Sequence, residues 1–150
     1  MTTDQATLTA QELLKRGDYF AVYDCVQRSL ESDGFNSELV YLGLLALAKS
    51  GATNQALDLY ENYKQRIPKN GEFLSLLARL HKDLCIQSKD DASIKRYGEL
   101  GRKLYLQAFD TDPSYYPLIN AAFLDAKNTT ALATSRACPM RPRGQAAFHF

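Results

Sequence analysis

Residues 51–68 read GATNQALDLYENYKQRIP, and the punctuation of this stretch decides the fold. Gly51 opens it and Pro68 closes it. Between them Ala56, Leu59, Tyr60 and Tyr63 recur at the three- and four-residue spacing that lines up side chains on one helical face. Proline has no amide with which to continue a helix, so residues 54–67 are predicted helical and Pro68 ends them. Thirty-four positions earlier Gly17, followed by Asp18, Tyr19 and Val22, repeats the opening. Gly101, Tyr105, Ala108 and Pro113 repeat the small, aromatic, small and proline order further on.

Outward from this stretch, helical periodicity covers residues 5–127 and no strand is predicted. A first helix is expected over Gln5 to Lys15, with an apolar stripe that puts Leu8 near Leu13 and Leu14 on one side and a stop at Gly17. Its partner, Tyr19 to Ser32, offers Val22, Val26 and Leu30 at four-residue spacing, and Gly34 releases the chain. Asn36 or Ser37 can cap the third helix, because a short side-chain oxygen accepts from the free amides of the first turn; Glu38 suits the positive end of the dipole. Val40, Leu44 and Leu47 form its core stripe. A third unit opens at Gly71 with Leu74, Leu77 and Ala78, but its second helix is delayed by the polar segment QSKDDAS, residues 87–93, read as a solvated extension of the loop or of the helix ends. A fourth begins at Ser114 with Leu118, Ile119, Ala122 and Phe123 and receives no second helix.

This 34-residue arrangement of paired helices resembles the tetratricopeptide repeat, and the resemblance implies that the small residue at Ala56, like Gly101, lets two helices approach while the aromatic at Tyr60 fills the gap beside it. The resemblance implies an all-α, right-handed tetratricopeptide-like helical-repeat solenoid of about three and a half repeats, occupying residues 1–128. Such units stack because none can bury its own apolar face, and stacking leaves an inner groove open to another chain. Residues 129–150 change composition, and Pro139, Pro142 and Gly144 break any helix, so an irregular, disordered basic tail is expected there. A solenoid cut off in mid-repeat reads either as a truncated longer protein or as one whose tail shields the exposed face poorly, and a frameshift, a gene fragment and a natural end all stay open.

Charge narrows the partners. The net charge of +1 conceals an asymmetry, since residues 131–150 carry Arg136, Arg141 and Arg143 and no acid, leaving 15 basic and 17 acidic side chains on the rest. A near-neutral body argues against nucleic acid as partner, and a nucleic-acid-binding helical repeat is kept as the alternative. No apolar run approaches the roughly 20 residues of a bilayer span, and the amino-terminal residues lack the features of a signal or transit peptide, so no membrane association is expected and the location is read as cytoplasmic. Three irregularly spaced cysteines, Cys25, Cys85 and Cys138, make no disulfide framework.

Chemistry finds little support. His81 and Cys85 stand four apart on one helical face, and with Cys138 and His149 they could complete four zinc ligands, but the distant pair falls in the irregular tail and packed side chains are the better reading. Asp90 and Asp91 are read as ordinary solvated acids. No nucleophile elbow and no glycine-rich phosphate loop occurs, so neither enzymatic activity, nor a metal, nor any cofactor is expected. The aromatics Tyr60, Tyr63, Tyr105 and Phe109 are assigned to packing.

A narrower resemblance rests on LARLHKD, residues 77–83, and LYLQAFDTDPSYYPLINAAF, residues 104–123. Arg79, Leu80, Lys82 and Asp83, then Ala108, Phe109, Asp110 and Pro113, then Ile119, Asn120, Ala121 and Ala122 are similar to the motifs of the MAP3K TRAFs-binding domain family. His81 stands where that family usually has tyrosine. The resemblance implies a helical-repeat regulatory module within a larger signalling protein. Repeat register separately assigns a concave partner surface to the first helix of each pair, exposing Lys15, Tyr41, Leu45, Lys49, Ser75, Arg79 and Lys82. That mixture of cations and apolar groups suits a protein or peptide with acidic and apolar groups, and self-association through the uncapped C-terminal repeat is a further partner reading. The carboxylate clamp of chaperone-tail binders does not fit, because Thr7, Gln11 and Leu42 occupy its positions.

Overall fold

The computed structural model describes residues 2–135, which form seven α-helices and, among the described residues, no strand. They fall into two compact units, one ending at Pro68 and one beginning at Lys69. The all-α helical-repeat architecture is the one the glycine and proline spacing predicts.

The first unit holds α1 (Thr3–Lys15), α2 (Tyr19–Asp33), α3 (Ser37–Lys49) and α4 (Thr53–Tyr63), with α1 packed on both α2 and α3, and α3 on α2 and α4. Its two hairpin turns are the same object 34 residues apart. At the first, Gly17 N–H donates to the Leu14 carbonyl and Asp18 N–H to Leu13; at the second, Gly51 N–H donates to Ala48 and Ala52 N–H to Leu47. Both motifs need a left-handed residue, and both glycines supply it, with φ of 77° and 82°. The helices begin on local caps as well. Thr2 and Gln5 form a reciprocal capping box on α1, Asp18 accepts from Ala21 on α2, and Asn36 accepts from the Leu39 amide at 3.0 Å on α3.

Val22, Val26, Leu30, Val40, Leu44 and Leu47 are buried where their spacing places them. The expected stripe of α1 is corrected: Leu8 is 63% exposed, and Ala6 and Ala10 are the buried residues. Alanines occupy that face because α1 must lie close to two neighbours, which long side chains would hold away. Gly43 meets the same need, since a Cβ there would stand 3.1 Å from Val26 Cγ1 and 3.2 Å from Leu59 Cδ2. The fourth helix is also shorter than predicted. It ends at Tyr63, whose carbonyl accepts from Arg66 and Ile67 amides in a tighter turn. Burial of Ile67, and Arg66 lying 5.0 Å from the Phe35 ring centroid and 5.5 Å from that of Tyr63, hold this turn before Pro68 can act.

The second unit holds α5 (Gly71–Gln87), α6 (Asp91–Thr111) and α7 (Tyr115–Ser135), with α6 packed on both of the others. The polar insertion is absorbed into longer helices of 17 and 21 residues, leaving a link of Ser88, Lys89 and Asp90. Gly101 sits at the close approach: an added Cβ would stand 2.9 Å from Leu124 Cδ1 and 3.4 Å from both the Ala78 carbonyl oxygen and the Lys82 nitrogen. Tyr105 and Ala108 are fully buried beside it. On α7 the predicted stripe is corrected too, for Leu118 and Ile119 are 46% and 43% exposed while Ala121 and Leu124 are buried with Pro117 and Asn120. Pro117 is tolerated because it lies in the first turn, where its missing amide breaks no helical bond. The helix continues past the expected boundary at residue 128 to Ser135, as no glycine or proline intervenes. The tail predicted beyond it, residues 136–150, lies outside the described residues.

The turn and close-approach readings are checked by urea denaturation. Gly51→Ala should cost about 1–2 kcal/mol through the left-handed backbone, and Ala56→Leu about 1–3 kcal/mol through overpacking of a fully buried site. A neutral Ala56→Leu would mean that α4 does not meet its neighbours at that residue.

Candidate functional site

The seven predicted partner residues divide between the units, and the structure gives them different characters. In the first unit Tyr41, Leu45 and Lys49 follow one another at four-residue spacing along α3, Tyr41 and Leu45 half-buried and Lys49 exposed. Lys15, in the last turn of α1, stands 3.5 Å from Glu12 in an exposed ion pair of the kind worth little in water. The two first helices are tied directly, because Gln11 Nε2 donates to Glu38 Oε1 at 3.0 Å.

In the second unit Ser75, Arg79 and Lys82 are half-buried on α5, less open than the exposure that repeat register assigns them. Lys82 turns onto α7: its ammonium donates to Asn120 Oδ1 at 2.5 Å and lies 4.8 Å from the Phe123 ring centroid. Asn120 is fixed in turn, its Nδ2 donating to the Tyr116 carbonyl at 2.8 Å. Arg79 Nε stands 3.9 Å from Asp83 Oδ2. Burial governs the protonation of this cluster, lowering the Lys82 pKa and raising that of Asp83 even with Arg79 and Lys82 at hand. Beneath it Tyr105 is fully buried, its hydroxyl has no partner among the described residues, and burial followed by the neighbouring Tyr116 pushes its pKa well up. Its ring meets Tyr116 edge to face at a centroid distance of 6.1 Å.

The arrangement brings the RLHKD and INAA segments into one polar cluster through the Lys82 to Asn120 bond. Residue spacing did not link them, and the roles of Asn120, Tyr116 and Phe123 were missed. A signal existed: an asparagine inside the apolar run Leu118 to Phe123 must find a partner if its face is buried. Also missed was the outer face of α6, where exposed Lys95, Arg96 and Lys103 surround Leu100.

The remaining titratable candidates are engaged locally. His81 Nδ1 is 2.9 Å from the Leu77 carbonyl oxygen, a bond that places the proton on Nδ1, and the Cys85 thiol donates to the Ile94 carbonyl at 3.4 Å. Burial raises the Cys85 pKa, which disfavours a thiolate. Cys138 and His149 lie outside the described residues. Asp90 is corrected from an ordinary acid: it caps α6, and the Ser93 amide donating to Oδ2 at 2.8 Å holds its carboxyl below the usual range. Among the described residues no helix is long and apolar enough to cross a membrane.

The family described as Tetratricopeptide Repeats-Sensor matches residues 18–125, and the chain belongs to it. The match runs from the cap of α2 into α7 and leaves α1 outside. No curated protein and no solved structure matches the chain.

The α5 to α7 cluster is open to a double-mutant cycle. Lys82→Met and Asn120→Leu should each cost about 1–3 kcal/mol, since the first strands the buried Asn120 and the second the half-buried Lys82. The double variant should cost less than their sum by about 0.5 kcal/mol or more; strict additivity in urea denaturation would mean that the two side chains do not interact.

Proposed function

We propose that this chain is a non-catalytic protein-interaction and regulatory module, which captures a partner segment carrying acidic and apolar side chains on the first helices of its repeats. The observation that carries this reading is the stripe on α3. Tyr41 and Leu45 offer half-buried apolar anchors at four-residue spacing, and Lys49, exposed and without an ion pair among the described residues, offers a cation at its end. A helical or extended segment can meet such a stripe with an apolar side chain and an acid, the acid contributing specificity and encounter rate more than raw affinity. On the second unit Arg79 and Lys82 offer a second, half-buried cationic patch. Membership of a tetratricopeptide-type family supports a binding role. The narrower resemblance to the MAP3K TRAFs-binding domain supports placing the module in a cytoplasmic signalling protein larger than the 150 residues here.

The rival, a nucleic-acid-binding helical repeat, would draw on the Lys95, Arg96 and Lys103 face of α6. Glu99 interrupts that face, which leaves it short of a continuous phosphate track.

Peptide display against the purified chain tests the proposal. Enriched sequences should pair aspartate or glutamate with an aromatic or branched apolar residue, and Lys49→Glu with Arg79→Glu should weaken the selected peptides about tenfold or more with the circular dichroism spectrum unchanged. Equal binding by the reversed protein would remove this surface from consideration. Salt-sensitive capture of random-sequence RNA, abolished by reversing Lys95 and Lys103, would instead favour the rival.

A further inference from the structure

A pocket of about 270 Å³ opens between α1 and α2 in the first unit. Its volume is just under the roughly 300–1,000 Å³ of drug-sized ligand sites, which suits a fragment-sized molecule. Ala6, Thr9 and Leu13 form the α1 wall; Ala21, Cys25 and Ser29 face them from α2, with Arg28 at the edge. The wall from α1 lies outside the residues matched by the family, and the α2 wall lies inside them.

Two polar groups in it lack what their chemistry asks for. Ser29 is only 7% exposed, and its hydroxyl has no hydrogen-bond partner among the described residues. The neighbouring hydroxyls do not help, because Ser32 Oγ is directed to the Ser29 carbonyl and the Cys25 thiol to the Ala6 carbonyl at 3.6 Å. An isolated hydroxyl at this depth calls for a ligand atom or a water. Arg28 uses Nε on the Asp24 carbonyl at 3.3 Å, which leaves its terminal nitrogens without an ion pair among the described residues. Asp24 and Glu31 flank Arg28 on the outer side of α2, and neither lines the pocket. The rest of the lining is the Thr9 and Ser32 hydroxyls, the engaged sulfur of Cys25 and the hydrocarbon of Ala6, Leu13 and Ala21.

We propose that the α1–α2 pocket binds a small apolar monocarboxylate, its hydrocarbon body against Ala6, Leu13, Ala21 and Cys25 and its carboxylate met by Arg28 and the Ser29 hydroxyl. A carboxylate accepts from both donors at once, and its charge suits a guanidinium better than an amide or an amine would. The site stands apart from the partner stripe of α3.

Octanoate, octanamide and octylamine, titrated separately into the full chain and followed by amide NMR, test this. Octanoate should give saturable shifts concentrated on α1 and α2, binding several-fold more tightly than octanamide, with octylamine weakest. Arg28→Gln should bring octanoate down to the level of octanamide. Ser29→Ala should weaken octanoate roughly tenfold, the equivalent of one hydrogen bond. Ala21→Phe should abolish binding by filling the space. Absence of saturable shifts in the unaltered chain, an affinity order indifferent to the headgroup, or octanoate binding undiminished in Ser29→Ala would overturn the proposal. Resonances of α3 and α4 report whether each variant keeps its fold.

Discussion

Two helices can approach closely only where neither presents bulk, and this requirement organises both units. In the first, Ala6 and Ala10 on α1, Gly43 on α3 and Ala56 on α4 are the points of contact that admit a neighbour. In the second, Gly101 lets the backbone of α5 lie within van der Waals distance of α6, and Ala78 and Ala108 are fully buried beside it. Larger residues then fill the flanks of these contacts: Val22, Val26 and Leu59 in one unit, Tyr105 and Leu124 in the other. Small side chains contribute little burial of their own. They determine how much their neighbours can bury.

The same close packing separates two kinds of cation. Lys49 stands exposed at the end of its helix, where its charge is available at little cost. Lys82 is drawn over Phe123 and onto Asn120, where its attraction for an anion would act in a less polar medium but against partners already in place. A ligand reaching Lys82 must therefore compete with Asn120, whereas one reaching Lys49 meets no ion-pair partner among the described residues. Sequence spacing treats the two lysines alike, because it records which face a residue occupies and not what the opposite helix offers.

Much of the fold was legible because its signals are local. Gly17 and Gly51 mark left-handed turns, Asn36 marks a cap, and Val22, Val26 and Leu30 mark a buried stripe, all through interactions within one or two helical turns. The errors fall where the deciding partner is remote in sequence. Leu8 is the most apolar choice on α1, yet packing of α2 and α3 selects Ala6 and Ala10. Leu118 and Ile119 look like core, yet α6 meets the face of Ala121 and Leu124. Pro68 was read as the terminator of α4, but Arg66 stacking on Phe35 and Tyr63 settles the matter a turn sooner. The Lys82 to Asn120 bond joins positions 38 apart, and only the route of the chain through α6 makes them neighbours. On α3 the half-burial of Tyr41 and Leu45 and the exposure of Lys49 follow the helix's own four-residue spacing.

The two units join their helices by different means. Gly17, Gly34 and Gly51 give the first unit turns of fixed handedness, whereas Ser88, at the end of α5, and Asp90, at the start of α6, are both in extended conformations open to any residue. A link with no handed residue sets no particular length, and doubling it would add only about 0.6 kcal/mol of closure entropy. Both helices beside it have already grown relative to α3 and α4, which have 13 and 11 residues against 17 and 21. The tip between α5 and α6 can thus take inserted sequence at little cost, while the glycine turns of the first unit each need a left-handed residue at a fixed place.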